Sequence, residues 1–190
     1  RRAEAVQAVN QARLEECGHL RRLFMQAPGF MCVLTGTDLV FEMANHAYIQ
    51  LVGGRDVVGV PIRDALPELR GQGYFELLEQ VMRTGQVFVG RGMRAMLGDV
   101  PEERVVDFVY QPITEDDGSV SGIFVEGVDI TERVRAQDQQ RLLMDELNHR
   151  VKNTLATVQA IVTQTLRAGG SPESFAADFH ARLRALGGLA

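Results

Sequence analysis

The chain has 190 residues, 45% of them hydrophobic, and a formal net charge of −5 from 25 acidic and 20 basic side chains. This composition suits one well-packed domain of about 100–150 residues plus a smaller unit, and excludes a disordered tail. The acidic balance argues against a nucleic-acid partner held by phosphate neutralisation. The sequence contains no apolar run of about 18 residues, so no membrane segment is predicted. Cys17 and Cys32 are far apart and follow no secretory signal, which favours reduced thiols and a cytoplasmic location.

Residues 1–25 contain no proline and repeat apolar side chains at steps of three and four. This spacing predicts an N-terminal helix that packs one stripe on a partner. Either a plain surface helix or a signalling helix in a dimeric coiled coil fits, because Arg13 and Glu16 interrupt a strict heptad. The first residue is not methionine and the pattern is already helical, so we expect a longer parent protein.

The sequence pattern of residues 26–131 predicts a domain with both helices and strands. The runs 31–35 and 39–44 predict a β-hairpin, and Asn45 is placed to cap a short helix after it. A longer helix is predicted from residue 74 to the stop signal at Gly85, and three strands follow within 86–97, 104–113 and 120–130. This order predicts an α+β domain: an antiparallel five-stranded sheet with flanking helices.

The last predicted strand ends in "DITER", residues 129–133. Asp129 closes an apolar strand, and Thr131 offers a hydroxyl where the next helix begins. The same residues would also occur at an ordinary strand-to-helix boundary in which the helix is capped and no signal passes. Together with the element order, however, residues 22–131 resemble a PAS sensor domain, in which an Asp-x-Thr ending hands the last strand to an output helix. The resemblance implies that Asp129 and Thr131 couple the sensor to its output.

The resemblance also implies an interior pocket, whose occupant the residues leave open. Arg91 and Arg94 are possible partners for a carboxylate ligand; an apolar ligand, or an empty domain that only dimerises, fits equally. A flavin adduct is not expected, because the small helices lack cysteine and Cys32 lies on the first strand. Haem is not expected either, because the longer helix has no histidine and His46 suits a capping or surface role.

A long helix is predicted to begin at residue 132. It carries an apolar seam whose residues repeat at steps of three and four over about three and a half heptads. The seam positions are Met144, Leu147, Val151, Thr154, Val158, Ile161, Thr165 and Ala168. Further apolar residues widen this stripe at Leu143, Leu155, Val162 and Leu166. At about 100° per residue, His149 lies about 200° from Leu147 and therefore faces water. No second histidine stands at i±4 and the cysteines are remote, so no metal site is predicted.

The string "ELNHRVKNTLATVQAI" begins at Glu146 and places His149 next to a cationic residue. It closely resembles the phospho-acceptor box of HWE-type and related HisKA_2-type sensor histidine kinases, whose His-Arg-x-Lys-Asn core lies on the first helix of a dimerisation and phosphotransfer domain. The resemblance implies that His149 accepts a phosphoryl group from ATP and passes it to an aspartate of a response-regulator receiver domain, in the bacterial cytoplasm.

The residues around His149 suit this chemistry. An imidazole in water has a pKa of about 6.5 and is mostly neutral at cytosolic pH, so it can act as a nucleophile. Asp145 and Glu146 lie one turn back, where either could accept the ring proton, with Glu146 slightly favoured. The remaining core residues could hold phosphoryl oxygens through cationic or amide donors. They are Arg150, Lys152 and Asn153.

A further helix should follow the long helix after the turn at 168–171, with Ser171 as its cap and Pro172 at its first position. Its apolar residues are Phe175, Phe179, Leu183 and Leu186. Residues 132–190 therefore predict a linker helix and an all-α helical hairpin, and two copies in a four-helix bundle would cover both stripes. We expect a homodimer.

No Walker A pattern or asparagine-rich nucleotide box occurs in the chain. We therefore expect ATP to be bound by a separate ATP-binding domain of the parent kinase, and residues 1–190 alone to be inactive. Two other function classes stay open: a non-catalytic PAS dimerisation scaffold, and a ligand-binding module with another output.

Overall fold

The computed structural model describes the backbone of residues 2–98, 100, 102–167 and 172–187. Within its helices, the side chains of 2–12, 14, 172–174, 183 and 185–187 are not described. The chain divides into two compact units, Arg1–Val134 and Arg135–Ala190. The helices are α1 (Arg2–Gln26), α2 (His46–Leu51), α3 (Ile62–Ala65), α4 (Tyr74–Thr84), α5 (Thr131–Arg167) and α6 (Pro172–Gly187), with a 3₁₀ turn at Pro67–Leu69. The strands are β1 (Phe30–Thr35), β2 (Val40–Ala44), β3 (Phe88–Leu97), β4 (Glu102–Thr114) and β5 (Val120–Asp129).

The five strands form one sheet in the order β2-β1-β5-β4-β3, and every neighbouring pair is antiparallel. The predicted five-stranded antiparallel sheet with flanking helices is therefore confirmed. The hairpin differs from the prediction at one end: β2 starts at Val40 because Leu39 lies in the left-handed region, with φ of 52°. Only a turn residue can adopt that conformation next to a strand at modest cost.

The core of the first unit lies between one face of the sheet and helices α2 to α4. Phe41 and Leu34 from the sheet and Leu78 from α4 are fully buried there. Each such side chain contributes about 1.5–3 kcal/mol on leaving water. Helix α4 ends at Gly85, which adopts the left-handed conformation as predicted.

Asn45 is a fully buried polar residue that joins three segments. Its Oδ1 caps α2 by accepting from the Tyr48 backbone N–H (2.9 Å), as predicted, and also accepts from the Met31 N–H (2.9 Å). Its Nδ2 donates to the Gly29 carbonyl (2.8 Å). The side chain thus fixes the path of the chain between α1 and β1 against α2.

The second unit consists of the body of α5 and helix α6. Helix α5 has 37 residues, about 55 Å at 1.5 Å per residue, whereas α6 has 16 and reaches about 24 Å. Helix α6 begins at Pro172, at the predicted position, and the rings of Phe175 and Phe179 stack with centroids 5.9 Å apart. The predicted cap Ser171, the seam residue Ala168 and the side chains of Leu183 and Leu186 lie outside the described residues.

Candidate functional site

His149 lies in the middle of α5 with its side chain exposed to solvent, as do all residues from Arg141 to Arg150. On the helix, His149 itself lies on the side opposite the apolar seam. Among the described residues of the second unit, none buries the imidazole.

Asn153, one turn after His149, is the polar partner of the ring. Asn153 Nδ2 lies 3.4 Å from His149 Nδ1. The two ends of an amide are assigned by their hydrogen bonds, so this side chain can also present Oδ1 and accept a proton carried by Nδ1. In that tautomer Nε2 is unprotonated and faces solvent. The Asn153 amide therefore lies next to Nδ1, the ring nitrogen nearer the helix backbone.

The two predicted proton acceptors are placed differently from one another. Glu146 Oε1 accepts from Arg150 Nε at 2.7 Å, an exposed i,i+4 ion pair, rather than from His149. Asp145 and Lys152 are exposed on the same helix, and among the described side chains neither makes a hydrogen bond to the ring. The structure therefore brings together Asn153 with His149 and Arg150 with Glu146.

The apolar seam of α5 is largely uncovered in a single copy of the chain. Leu147 and Val151, directly behind the His149 face, are each 56% exposed. Towards the end of α5 the seam is better covered: Val158 and Ile161 are half-buried and Thr165 is buried. Because α6 is less than half as long as α5, it cannot cover the first part of the seam.

The junction of β5 and α5 is held by a network that passes through Thr131. Asp129 Oδ1 accepts from the Thr131 N–H (2.9 Å) and from the Thr131 hydroxyl. The hydroxyl oxygen in turn accepts from the Val105 N–H of β4 (2.8 Å), and Thr131 is buried. The hydroxyl thus ties α5 to the sheet, whereas the sequence suggested a local cap.

Two charged residues of β4 join this junction and were missed by the sequence reading. Arg104 Nη1 lies 3.3 Å from Asp129 Oδ2, and its Nη2 lies 2.9 Å from Glu102 Oε2. Asp107 Oδ2 lies 4.0 Å from Arg133 Nη2 in the first turn of α5. The available signal was the presence of two charged residues in a strand that is otherwise apolar, "RVVDFVY".

The interior of the first unit contains a cavity of about 50 Å³. Its lining is apolar and aromatic, and includes Phe30, Leu66, Val106, Phe108, Tyr110 and Val125. Pockets that hold drug-sized ligands have volumes of roughly 300–1,000 Å³. In this conformation the cavity is therefore smaller than the pockets that hold drug-sized ligands.

The prediction that Arg91 and Arg94 line this pocket is wrong. Both side chains are exposed on the outer face of the sheet, and Arg94 pairs with Glu103 at 2.7 Å. In a regular strand, residues three apart point to opposite faces. A bulge between Gly90 and Met93 shifts the register by one, so both arginines point outward.

The ionisable groups buried in this unit are weak acids held in the protonated form. Burial raises the pKa of the Cys32 thiol and of the Tyr48 and Tyr110 hydroxyls, and raises the pKa of Tyr74 to about 12. Desolvation disfavours each anion. Cys32 is therefore unreactive, and His46 lies exposed at the start of α2.

Two further findings concern the described residues. No helix among them is long and apolar enough to span a bilayer. No group of three or more histidine, cysteine, aspartate or glutamate side chains among them is arranged to hold a metal ion.

Comparison with known proteins gives two family matches. The PAS fold family matches residues 24–135, and the HWE histidine kinase family matches residues 146–189. A blue-light-activated histidine kinase of Brucella anthropi is 44% identical over 59 residues, which cover 31% of this chain and 12% of the relative. The protein of the same name from Brucella ovis is 47% identical over 58 residues, which cover 30% of this chain and 12% of the Brucella ovis protein.

Two solved structures share the fold. An RNA-binding light-oxygen-voltage receptor superimposes with a TM-score of 0.53 at 21% identity, covering 67% of this chain and 37% of its own. The PAS domain of Bordetella pertussis BvgS gives a TM-score of 0.50 at 21% identity, covering 70% of this chain and 98% of its own. At this identity the similarity concerns the fold of the first unit.

Proposed function

The chain belongs to the PAS fold family and continues into an HWE histidine kinase segment, and from this we propose that it is the sensory and phospho-acceptor part of a two-component sensor kinase. The proposed domains are an N-terminal signalling helix at 1–25, the PAS sensor at 26–131, and a linker helix with a phosphotransfer hairpin at 132–190. The observation that carries the proposal is the exposed imidazole of His149, opposite the apolar seam and in contact with Asn153.

The proposed reaction starts from neutral His149 with its proton on Nδ1. The Nε2 lone pair attacks the γ-phosphorus of ATP; the bond from phosphorus to the β–γ bridging oxygen breaks, and ADP leaves with that electron pair. The ring then carries one positive charge, which is lost when the Nδ1 proton leaves its hydrogen bond to Asn153 and passes to a carboxylate, Glu146 or Asp145. Phosphohistidine next gives the phosphoryl group to an aspartate of a receiver domain.

Asn153 is the proposed positioning residue in this reaction. Its Nδ2 lies 3.4 Å from Nδ1, and with the amide turned over its Oδ1 would accept from Nδ1–H and select the tautomer that leaves Nε2 free. Arg150 and Lys152 supply positive charge for the phosphoryl oxygens. Because Arg150 pairs with Glu146 at 2.7 Å, binding a phosphoryl group would release that carboxylate one turn from the ring. Glu146 would then be free to take the Nδ1 proton.

The same proposal requires two copies of the chain. The uncovered seam of α5, with Leu147 and Val151 more than half exposed, supports a dimeric four-helix bundle in which the seams face each other. ATP would be bound by an ATP-binding domain of a longer cytoplasmic parent. The segments that match the Brucella kinases cover only 12% of those proteins, so the partners of the whole kinase are part of the proposal.

The deciding experiment incubates the full-length parent kinase with γ-labelled ATP and follows acid-labile label. We expect His149→Ala to abolish the label, because no other group takes the role of nucleophile. His180→Ala is the matched control, since His180 is an exposed histidine on the neighbouring helix α6, and it should label like the wild type. Label retained on His149→Ala would leave a PAS dimerisation scaffold or a ligand-binding module with another output as the better reading.

A further inference from the structure

Asp107 lies in β4 between two residues that form the wall of the interior cavity. Val106 and Phe108 point inward and line that cavity, whereas Asp107 points to the outer face of the sheet. Successive residues of a strand share one backbone and point to opposite faces of the sheet. A displacement of the β4 backbone at Val106 or Phe108 would therefore also displace the Asp107 carboxylate.

The first partner of Asp107 is the bulge in β3. Its Oδ1 accepts from the Gly92 N–H at 2.6 Å, where Gly92 adopts φ of 58°. The neighbouring Gly90 packs directly on the Phe108 ring: a Cβ at Gly90 would lie 2.6 Å from Phe108 Cε1. The bulge is thus held from one side by the cavity wall and from the other by Asp107.

The second partner of Asp107 is the start of the output helix. Asp107 Oδ2 lies 4.0 Å from Arg133 Nη2, in the first turn of α5. One carboxylate therefore contacts the bulge through one oxygen and α5 through the other. This link is separate from the Asp129–Thr131 network and uses different atoms of β4.

We infer that Asp107 is a positioning residue that couples the cavity wall and the β3 bulge to the first turn of α5. Movement of the backbone at Phe108 or Val106 shifts the Asp107 carboxylate and changes its ion pair with Arg133. The orientation of the first turn of α5 changes as a result. The inference rests on the proposed function in one respect, that α5 carries the signal to His149. The coupling itself is a property of the first unit and can be measured without phosphorylation.

A double-mutant cycle measures the contact between Asp107 and Arg133. Asp107→Asn keeps an acceptor for the Gly92 N–H but removes the charge that faces Arg133, and Arg133→Gln removes the same ion pair from the other side. Amide hydrogen exchange of residues 129–134 is followed in the full chain. We expect each single variant to speed exchange about two- to fivefold, the range for an exposed ion pair, and the double variant to add nothing further. Arg141→Gln, an exposed arginine later in α5, should leave exchange unchanged.

Salt gives an independent readout that a purely steric role would not move. At 1 M salt the screening length falls to about 3 Å, so exchange in the wild type should approach that of Arg133→Gln. Strictly additive effects of the two single variants, or a difference that persists unchanged at 1 M, would overturn the inference. In the full-length kinase, both single variants should shift labelling of His149 in the same direction. If the wild type were not labelled at all, the proposed function would fail, while the exchange cycle would still decide whether Asp107 is coupled to the start of α5.

Discussion

The two units of this chain differ in where they put their apolar side chains. In the first unit, large residues such as Phe41 and Leu78 are completely buried, and among the described side chains no buried polar atom lacks a hydrogen-bond partner. In α5 the corresponding residues, such as Leu147 and Val151, are more than half exposed. A domain with a closed core is stable by itself, whereas an uncovered apolar seam calls for a second surface. The first unit thus encloses its own core, whereas the helix that carries His149 leaves an apolar seam uncovered in a single copy of the chain.

The largest expected effect concerns alkaline pH and is confined to the first unit. All three tyrosines and Cys32 lie there, and burial raises the pKa of each, that of Tyr74 to about 12. In the unfolded chain these groups lose their protons near their ordinary pKa values, so above pH 9–10 the unfolded state binds fewer protons than the folded state. Stability must then fall as pH rises, by about 1.4 kcal/mol per pH unit for each group.

Absorbance at 295 nm and near-ultraviolet circular dichroism check this expectation. Phenolate absorbance should appear together with loss of the tertiary signal, at a pH above 10. At pH 7 the four groups are protonated in both states and should make no pH-dependent contribution. A phenolate titration centred near pH 10 with an intact dichroism spectrum would contradict the burial of these hydroxyls.

The second expected effect concerns the seam of α5. Leu147→Asp would bring a charge from each copy into the proposed bundle, at a cost of several kcal/mol for unpaired buried charge. We expect light scattering to show monomers at micromolar concentration, while the near-ultraviolet spectrum of the first unit stays unchanged. Leu142→Asp is the matched control: Leu142 is also an exposed leucine of α5, but it lies seven residues before His149 and therefore on the polar face. Dimers that survive Leu147→Asp but not Leu142→Asp would reverse the assignment of faces.

The sequence predicted the sheet well because its strands and turns carry local signals. Asn45 caps α2 and Gly85 ends α4, and both effects depend only on a few neighbouring residues. The faces of β3 could not be predicted, because a bulge at Gly90–Met93 reverses the inward and outward positions and depends on pairing with β4. This is why Arg91 and Arg94 were assigned to the wrong side of the sheet.

The same limit applies around His149. The exposed position of the histidine follows from helical periodicity, which the sequence shows directly. Glu146, however, has two partners within one turn, His149 at i+3 and Arg150 at i+4. Spacing does not choose between them; the full charge and the bidentate donors of arginine favour the ion pair seen in the structure. Interactions between strands, such as that of Asp107 with the β3 bulge, are equally invisible to local patterns.

The smallest and most specific expectation concerns the connection between the two units. From Thr131 to His149 the chain is part of one continuous helix, and no glycine or proline interrupts these 18 steps, roughly 27 Å at 1.5 Å per residue. We propose that the signal passes along this helix as a rotation or shift of its start. Such a device should be sensitive to the angular phase between the two ends.

Insertion of one to seven alanine residues after Gln139 in the full-length kinase tests this phase dependence. Each added residue turns the downstream seam by about 100°, so one or two inserts should change labelling of His149 several-fold, while seven, at 700°, come within 20° of two full turns and should nearly restore it. The same inserts in the β4–β5 turn at Asp116, which leave α5 intact, should have little periodic effect. Labelling that falls steadily with insert length at Gln139, with no recovery at seven, would mean that the helix acts as a tether, because a tether responds to length and a rigid helix to phase.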